Sequence, residues 1–227
     1  MKRFTAILTA AAMLTSIGTL TGCKDKEKKG ATLISDDFEG DYSNAVEQYG
    51  AMTQQIKADS NENVPIDIEF DNRFVNEEEA ILISKYFECL NSNDAELFES
   101  LYYDGYLAYN ASLSGMTPSD TLTQFYQSIS SKIGTTDYKF DYIVINGVYT
   151  PEDGEYGDHY NFESVKNIWD SFADSTDASL KNAINSRKVL SVEALYKTET
   201  GDYSLSERYG CDSYLYVYQI NGKYYLS

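Results

Sequence analysis

From Val189 to its last residue the chain is written in the period of a β-sheet, and this constrains the fold more than any other feature. Leu190, Val192, Ala194 and Tyr196 occupy alternate positions, which gives a strand with one apolar face. Thr200-Gly201-Asp202 turns the chain, and a second strand is expected from about Tyr203. Residues 214–220 place aromatic side chains at every other position. The Asn221-Gly222 pair that follows is the one a type I′ turn favours, because both central residues must take positive φ, and residues 223–227 return as its partner strand.

Upstream the apolar period is helical. Asn76 with Glu79 opens a helix that runs to about Asn91: the Asn side chain can cap a free N–H, and the acid lies near the positive helix end. Ala80, Ile83, Phe87 and Leu90 form its inner stripe, widened by Ile81, Leu82 and Tyr86. A shorter helix is predicted from Asp94, burying Leu97, Phe98 and Leu101. Thr117-Pro118-Ser119-Asp120 combines a cap, a first-turn Pro and an early acid. Leu122, Phe125, Tyr126, Ile129 and Ile133 then keep the helical period as far as Gly134, a residue suited to a left-handed helix end.

At Tyr138 the period changes to two, with Ile143 and Ile145 filling the second face, and Asn146-Gly147 reads either as a bulge or as a tight turn. Asn161 opens another helix, whose Val165, Ile168, Trp169 and Phe172 share one stripe, and helical character extends through Leu180, Ala183 and Ile184. Before all of these, Ala45, Tyr49, Met52 and Ile56 suggest an amphipathic helix over residues 41–58. Ile66, Ile68 and Phe70 alternate with Asp67, Glu69 and Asp71 in a short strand, whose carboxylates are expected to be solvated edge charge rather than a cation site. The order predicts an α+β domain, with helices packed on one face of a curved antiparallel sheet and a helical insertion.

The chain begins with Lys2 and Arg3, an apolar run from Phe4 to Leu20, and then Leu20-Thr21-Gly22-Cys23. The run is short for a membrane span and reads as a secretory signal. The tetrapeptide resembles the lipobox of bacterial lipoproteins. That resemblance implies cleavage before Cys23, a diacylglyceryl anchor on its thiol and residence on the extracytoplasmic face of the cell membrane. Residues 24–29, K-D-K-E-K-K, hold nothing to bury and read as a tether. The divisions expected are 1–22 signal, 23–40 lipidated Cys and tether, 41–73 helix and short strand, and 74–227 the α+β domain.

Charge limits the partners. The whole chain has a net charge of −18, and without the acid-free signal 16 basic residues face 36 acidic ones. Such a surface repels phosphate, so nucleic acid is not expected. No dinucleotide-binding, P-loop, serine-hydrolase or zinc-protease motif occurs. The acidic loop 150–160 lacks the spacing of a calcium-binding loop, and its His159 has no nucleophile pattern beside it. No catalytic residue, metal ligand or cofactor is assigned. Cys89 and Cys211 are expected to be unbridged, although an oxidising compartment permits a disulfide.

The opening "EEAILISKYFECLNSNDAELFESL" and the closing "YLYVYQINGKYYLS" resemble the NTF2-like (cystatin-like) domains of many uncharacterised Gram-positive lipoproteins, over about residues 74–227. Two features differ from the minimal unit: the insertion around 161–185, and the lack of the Asp–His pair that enzymatic relatives carry. The resulting expectation is a non-catalytic binding or accessory module for a small ligand, a glycan or an envelope protein. The alternatives are an NTF2-like enzyme with a buried pocket and a purely structural envelope component. If a ligand binds, Tyr106 and Tyr109 after the second helix, with Tyr214 and Tyr216 on one strand face, are the candidates to hold it.

Overall fold

The structure is a computed structural model that describes residues 49–50, 52–151 and 162–227. Its strands are β1 (Thr53–Ile56), β2 (Asp67–Asp71), β3 (Lys139–Tyr149), β4 (Ile184–Thr198), β5 (Gly201–Ser204), β6 (Ser213–Ile220) and β7 (Lys223–Leu226). Its α-helices are α1 (Glu77–Ser92), α2 (Ala95–Ser100), α3 (Tyr106–Leu113), α4 (Pro118–Ile133), α5 (Phe162–Thr176) and α6 (Leu205–Tyr209), and a 3-10 turn covers Ala178–Asn182. This is an α+β fold on a seven-stranded sheet of order β1-β2-β3-β4-β6-β7, with β5 attached to β4.

β4 is the axis of the sheet. One edge pairs with β3 over residues 189–197, while the other pairs with β6 over 184–192 and with β5 over 195–198. Among the strands of the described residues, only the β2–β3 pairing is parallel. Parallel neighbours require a long crossover, and helices α1 to α4 supply it.

The capping signals form as written. Asn76 and Glu79 make a reciprocal capping box at α1, Thr117 and Asp120 make another at α4, and Gly134 ends α4 in the left-handed conformation at φ 88°. Asn221 and Gly222 both take positive φ, at 51° and 82°, in the turn between β6 and β7. Asn146-Gly147 is a bulge within β3, where the register against β4 slips between Ile145 and Gly147.

Helices cover both faces of the sheet rather than one. Antiparallel partners share a face, and Leu190 pairs with Leu215 whereas Val189 pairs with Tyr216. Leu190, Val192, Leu215 and Val217 belong to the main core with Ile83, Phe87 and Leu90 of α1 and Leu122 and Ile129 of α4. Tyr218 and Ile220, of opposite parity, join a second cluster with Tyr106 of α3 and Val165, Ile168, Trp169 and Phe172 of α5. The one-face expectation misses this because alternate positions of β6 are apolar on both sides, which is the signature of a strand covered twice.

Other departures have local causes. The stripe read as a helix over 41–58 instead contributes β1: Gly50 at φ 90° breaks any helix between Tyr49 and Met52, and Met52 is 52% exposed. Ladder pairing of Thr53–Ile56 against β2 outweighs helical spacing there, while Ala45 lies outside the described residues. β4 starts at Ile184, so Leu180 and Ala183 belong to the 3-10 turn and its cap rather than to a helix. α6 forms where the strand from about Tyr203 was expected to continue, and α3 forms over residues for which no element was predicted.

β2 is an interior strand between β1 and β3, so its carboxylates are not solvated edge charge. Each is taken by a neighbour. Asp67 accepts from the Ala58 backbone N–H (2.9 Å), and Glu69 accepts from the Tyr142 hydroxyl (2.6 Å). The Asp71 side chain is fully buried, accepting from the backbone N–H groups of Gly50 (2.8 Å) and Arg73 (3.1 Å) and from Nη2 of Arg73 (2.7 Å). The equally buried Glu79 carboxylate pairs with Lys188 Nζ at 2.9 Å, fastening the start of α1 to β4.

No disulfide joins Cys89 to Cys211. Cys89 is fully buried, and burial pushes its thiol up to about 12. Alkylation of native protein should therefore spare Cys89, and unfolding without reductant should expose both thiols to the reagent; protection of the unfolded pair would reveal a bridge.

Candidate functional site

A cleft of about 300 Å³ opens where the end of α4, the far ends of β4 and β5, and α6 converge. Gly134 ends α4 and Thr135 and Asp137 lead out of it, with the turn braced by the Tyr126 hydroxyl donating to the Thr136 carbonyl (3.1 Å). On the opposite wall Tyr196 and Tyr203 are direct ladder partners, with ring centroids 5.8 Å apart. Thr198, Thr200 and Tyr203 form a hydroxyl chain: Thr198 Oγ1 lies 2.9 Å from Thr200 Oγ1, which lies 3.0 Å from the Tyr203 hydroxyl.

The third wall is α6. Its start is held by Ser204, whose hydroxyl accepts from the Glu207 backbone N–H (3.3 Å) and donates to Glu193 Oε1 (2.7 Å). This brings Arg208 across the cleft. Its Nε–H donates to the Tyr196 hydroxyl (3.2 Å), and its guanidinium lies 5.3 Å from the centre of the Tyr203 ring. The hydrogen bond to Tyr196 raises the Arg208 pKa further, so the group is always charged. Asp137 and Glu199 also line the cleft.

The interior between α1 and the sheet, the other place for a ligand, is filled. The cavity there is about 30 Å³, lined by Tyr86, Phe87, Leu90, Ile129 and Leu205 among others. That is room for about one water.

The four tyrosines singled out in the sequence do not line this cleft; Tyr106 lies in the second hydrophobic cluster, and Tyr109 and Tyr216 pack against it. Tyr106 is 1% exposed, lies 5.3 Å from Trp169 and 5.5 Å from Phe172, and its hydroxyl is 3.2 Å from Ser227 Oγ; burial pushes its pKa up to about 12. Tyr109 packs on Phe172 (5.6 Å), and Tyr216 on Phe162 (6.2 Å). Those two phenylalanines are ten residues apart on α5, hence about 15 Å along its axis. Tyr214 is 37% exposed, with its ring 6.5 Å from that of Tyr149. Cys23, His159 and residues 152–161 of the acidic loop lie outside the described residues.

No family model, curated protein or solved structure matches the chain. What the cleft can do follows from its own chemistry: the half-buried Tyr203 ring in front of a fully buried Tyr196, a chain of hydroxyls, one guanidinium and two carboxylates. Among the described residues no group of three or more His, Cys, Asp or Glu is placed to hold a metal ion, and no helix is long and apolar enough to cross a membrane. Sequence reading missed Arg208 because its position depends on α6, a helix of one turn without an apolar stripe. The Tyr196–Tyr203 pairing had a signal, since a two-residue turn at Glu199-Thr200 sets that register.

Proposed function

We propose that this chain is a lipid-anchored, extracytoplasmic binding module that presents the cleft between α4, β5 and α6 to a small ligand. The anchor rests on Leu20-Thr21-Gly22-Cys23 after its apolar run, with Cys23 carrying the acyl chains that hold the protein to membrane lipid. An NTF2-like identity for residues 74–227, with a curved sheet, is supported by the helices that precede the antiparallel meander and by its closing hairpin.

One observation carries the binding role: a cleft of about 300 Å³ whose walls combine Tyr196, Tyr203 and Arg208 with threonine hydroxyls. Its size is at the small end of ligand sites, and its lining mixes aromatic surface with groups that orient a polar ligand. The filled interior beneath α1 favours this surface site over a buried enzyme pocket.

Two measurements test the reading. Mass spectrometry of membrane-extracted protein should find an acylated Cys23 as the first residue, and Cys23→Ala should release the protein from the membrane or leave it unprocessed. An unmodified terminus elsewhere ends the anchor. A ligand that raises the melting temperature of the wild type, but not of Tyr203→Ala, supports the cleft; equal shifts in both place binding elsewhere.

A further inference from the structure

We infer that the cleft takes a small molecule bearing one carboxylate together with hydroxyl or ammonium donors, the chemistry of a sugar acid or a free amino acid; this rests on the cleft being a binding site. Arg208 is the reason. Its Nε is held by the Tyr196 hydroxyl and one ring face by Tyr203, which fixes the plane of the guanidinium. Among the described residues neither Nη donates to a protein partner, and no carboxylate lies within ion-pairing distance. Other basic residues of the chain also lack an ion pair, but only Arg208 lines this cleft, where its guanidinium, held at Nε, offers its Nη edge to an incoming acid. Two parallel N–H donors match the two oxygens of a carboxylate.

The remaining walls set what else the ligand carries. Asp137 and Glu199 line the same space, and α4 directs the negative end of its dipole at it through Ile133 and Gly134. These groups repel a dianion such as phosphate and attract donors, so the far side of the ligand presents hydroxyls or an ammonium. A cleft of about 300 Å³ limits the ligand to the size of one sugar ring or one amino acid.

Calorimetric titration of the wild-type protein with galacturonate, galactose, alanine and inorganic phosphate tests this. Galacturonate or alanine should bind, galactose should bind about tenfold more weakly or not at all, and phosphate should not bind. The choice between the first two identifies the source of the carboxylate. Arg208→Gln should weaken carboxylate binding by about ten- to a hundredfold, and Arg208→Lys should restore only part of it, because an ammonium lacks the planar fork. Arg208 is exposed, so both variants should melt with the wild type. A carboxylate that binds Arg208→Gln as well as it binds the wild type overturns the inference. Galactose binding as tight as that of galacturonate, and abolished by Tyr203→Ala, also overturns it, yet leaves the binding module standing. Failure of every probe to bind the wild type overturns the inference, while the binding module is judged separately by the Tyr203→Ala melting test.

Discussion

Asp71→Ala should lower the melting temperature by roughly 10 °C, from a loss of about 3–5 kcal/mol, the usual cost of breaking a buried ion pair from one side. The carboxylate is fully buried and its donors are specific: backbone N–H groups on both sides of β1's entry, and the Arg73 side chain, whose Nε and Nη2 reach it at 3.0 and 2.7 Å. Removing it takes from the Gly50 N–H and from Nε and Nη2 of Arg73 the acceptor they share. β1 is short and, among the described residues, has β2 as its only ladder partner, so it should detach first. Hydrogen exchange at residues 53–56 should rise well before global unfolding.

The same carboxylate predicts a pH dependence with a definite sign. Hydrogen bonding from Arg73, opposed by burial and assisted by backbone N–H groups, holds its pKa well below the usual 3.8. A depressed folded pKa means that the unfolded chain binds the proton first, so the contribution is complete above about pH 4 and is lost progressively as pH falls below that. Wild type and Asp71→Ala should therefore converge in stability at the acid end and differ most near neutrality. A melting temperature within 2 °C of wild type at pH 7, measured by circular dichroism, would remove Asp71 from this role.

The parts of the fold legible in the sequence are those decided locally. The caps at Asn76 and Thr117, the stop at Gly134 and the Asn221-Gly222 turn are short-range hydrogen-bonding and φ requirements, and they form as their residues dictate. What was illegible is decided by partners distant in sequence. β1 needs β2 to exist, β2 becomes interior only when β3 arrives from beyond four helices, and the second covered face needs α5 to cross β6. The site follows the same division. Tyr196 and Tyr203 face each other through a local hairpin, whereas Arg208 reaches them only because Ser204 and Glu193 set the start of α6. The place of Tyr106 after the second helix pointed to it as a ligand contact, yet it is a core residue, because a side chain with an apolar body and a polar tip serves packing and binding equally well.

Trp169→Ala should cost about 3–5 kcal/mol and act on the opposite face from Asp71. Trp169 is 1% exposed and central to the second cluster, with ring centroids 5.3 Å from Tyr103, 5.3 Å from Tyr106, 5.4 Å from Phe172 and 6.3 Å from Tyr218. Its indole N–H donates to the Leu180 carbonyl at 3.1 Å, tying α5 to the 3-10 turn that leads into β4. Truncation opens a cavity that four rigid rings cannot fill by rotamer change, and it leaves that carbonyl only the Ala183 N–H as donor. Because this layer touches the sheet through Tyr218, Ile220 and their neighbours, the loss should appear as early exchange in α5 and at the start of β4, with α1 and α4 unaffected until global unfolding. Trp169→Phe, which keeps an aromatic ring but not the N–H, should recover most of the loss. The chain's single Trp also makes the wild type its own reporter: the emission of Trp169 should be blue-shifted and poorly quenched by iodide in the native state. If Trp169→Ala melts with the wild type, or if native Trp169 is freely quenched, α5 is not packed on the second face and the two-sided architecture is wrong.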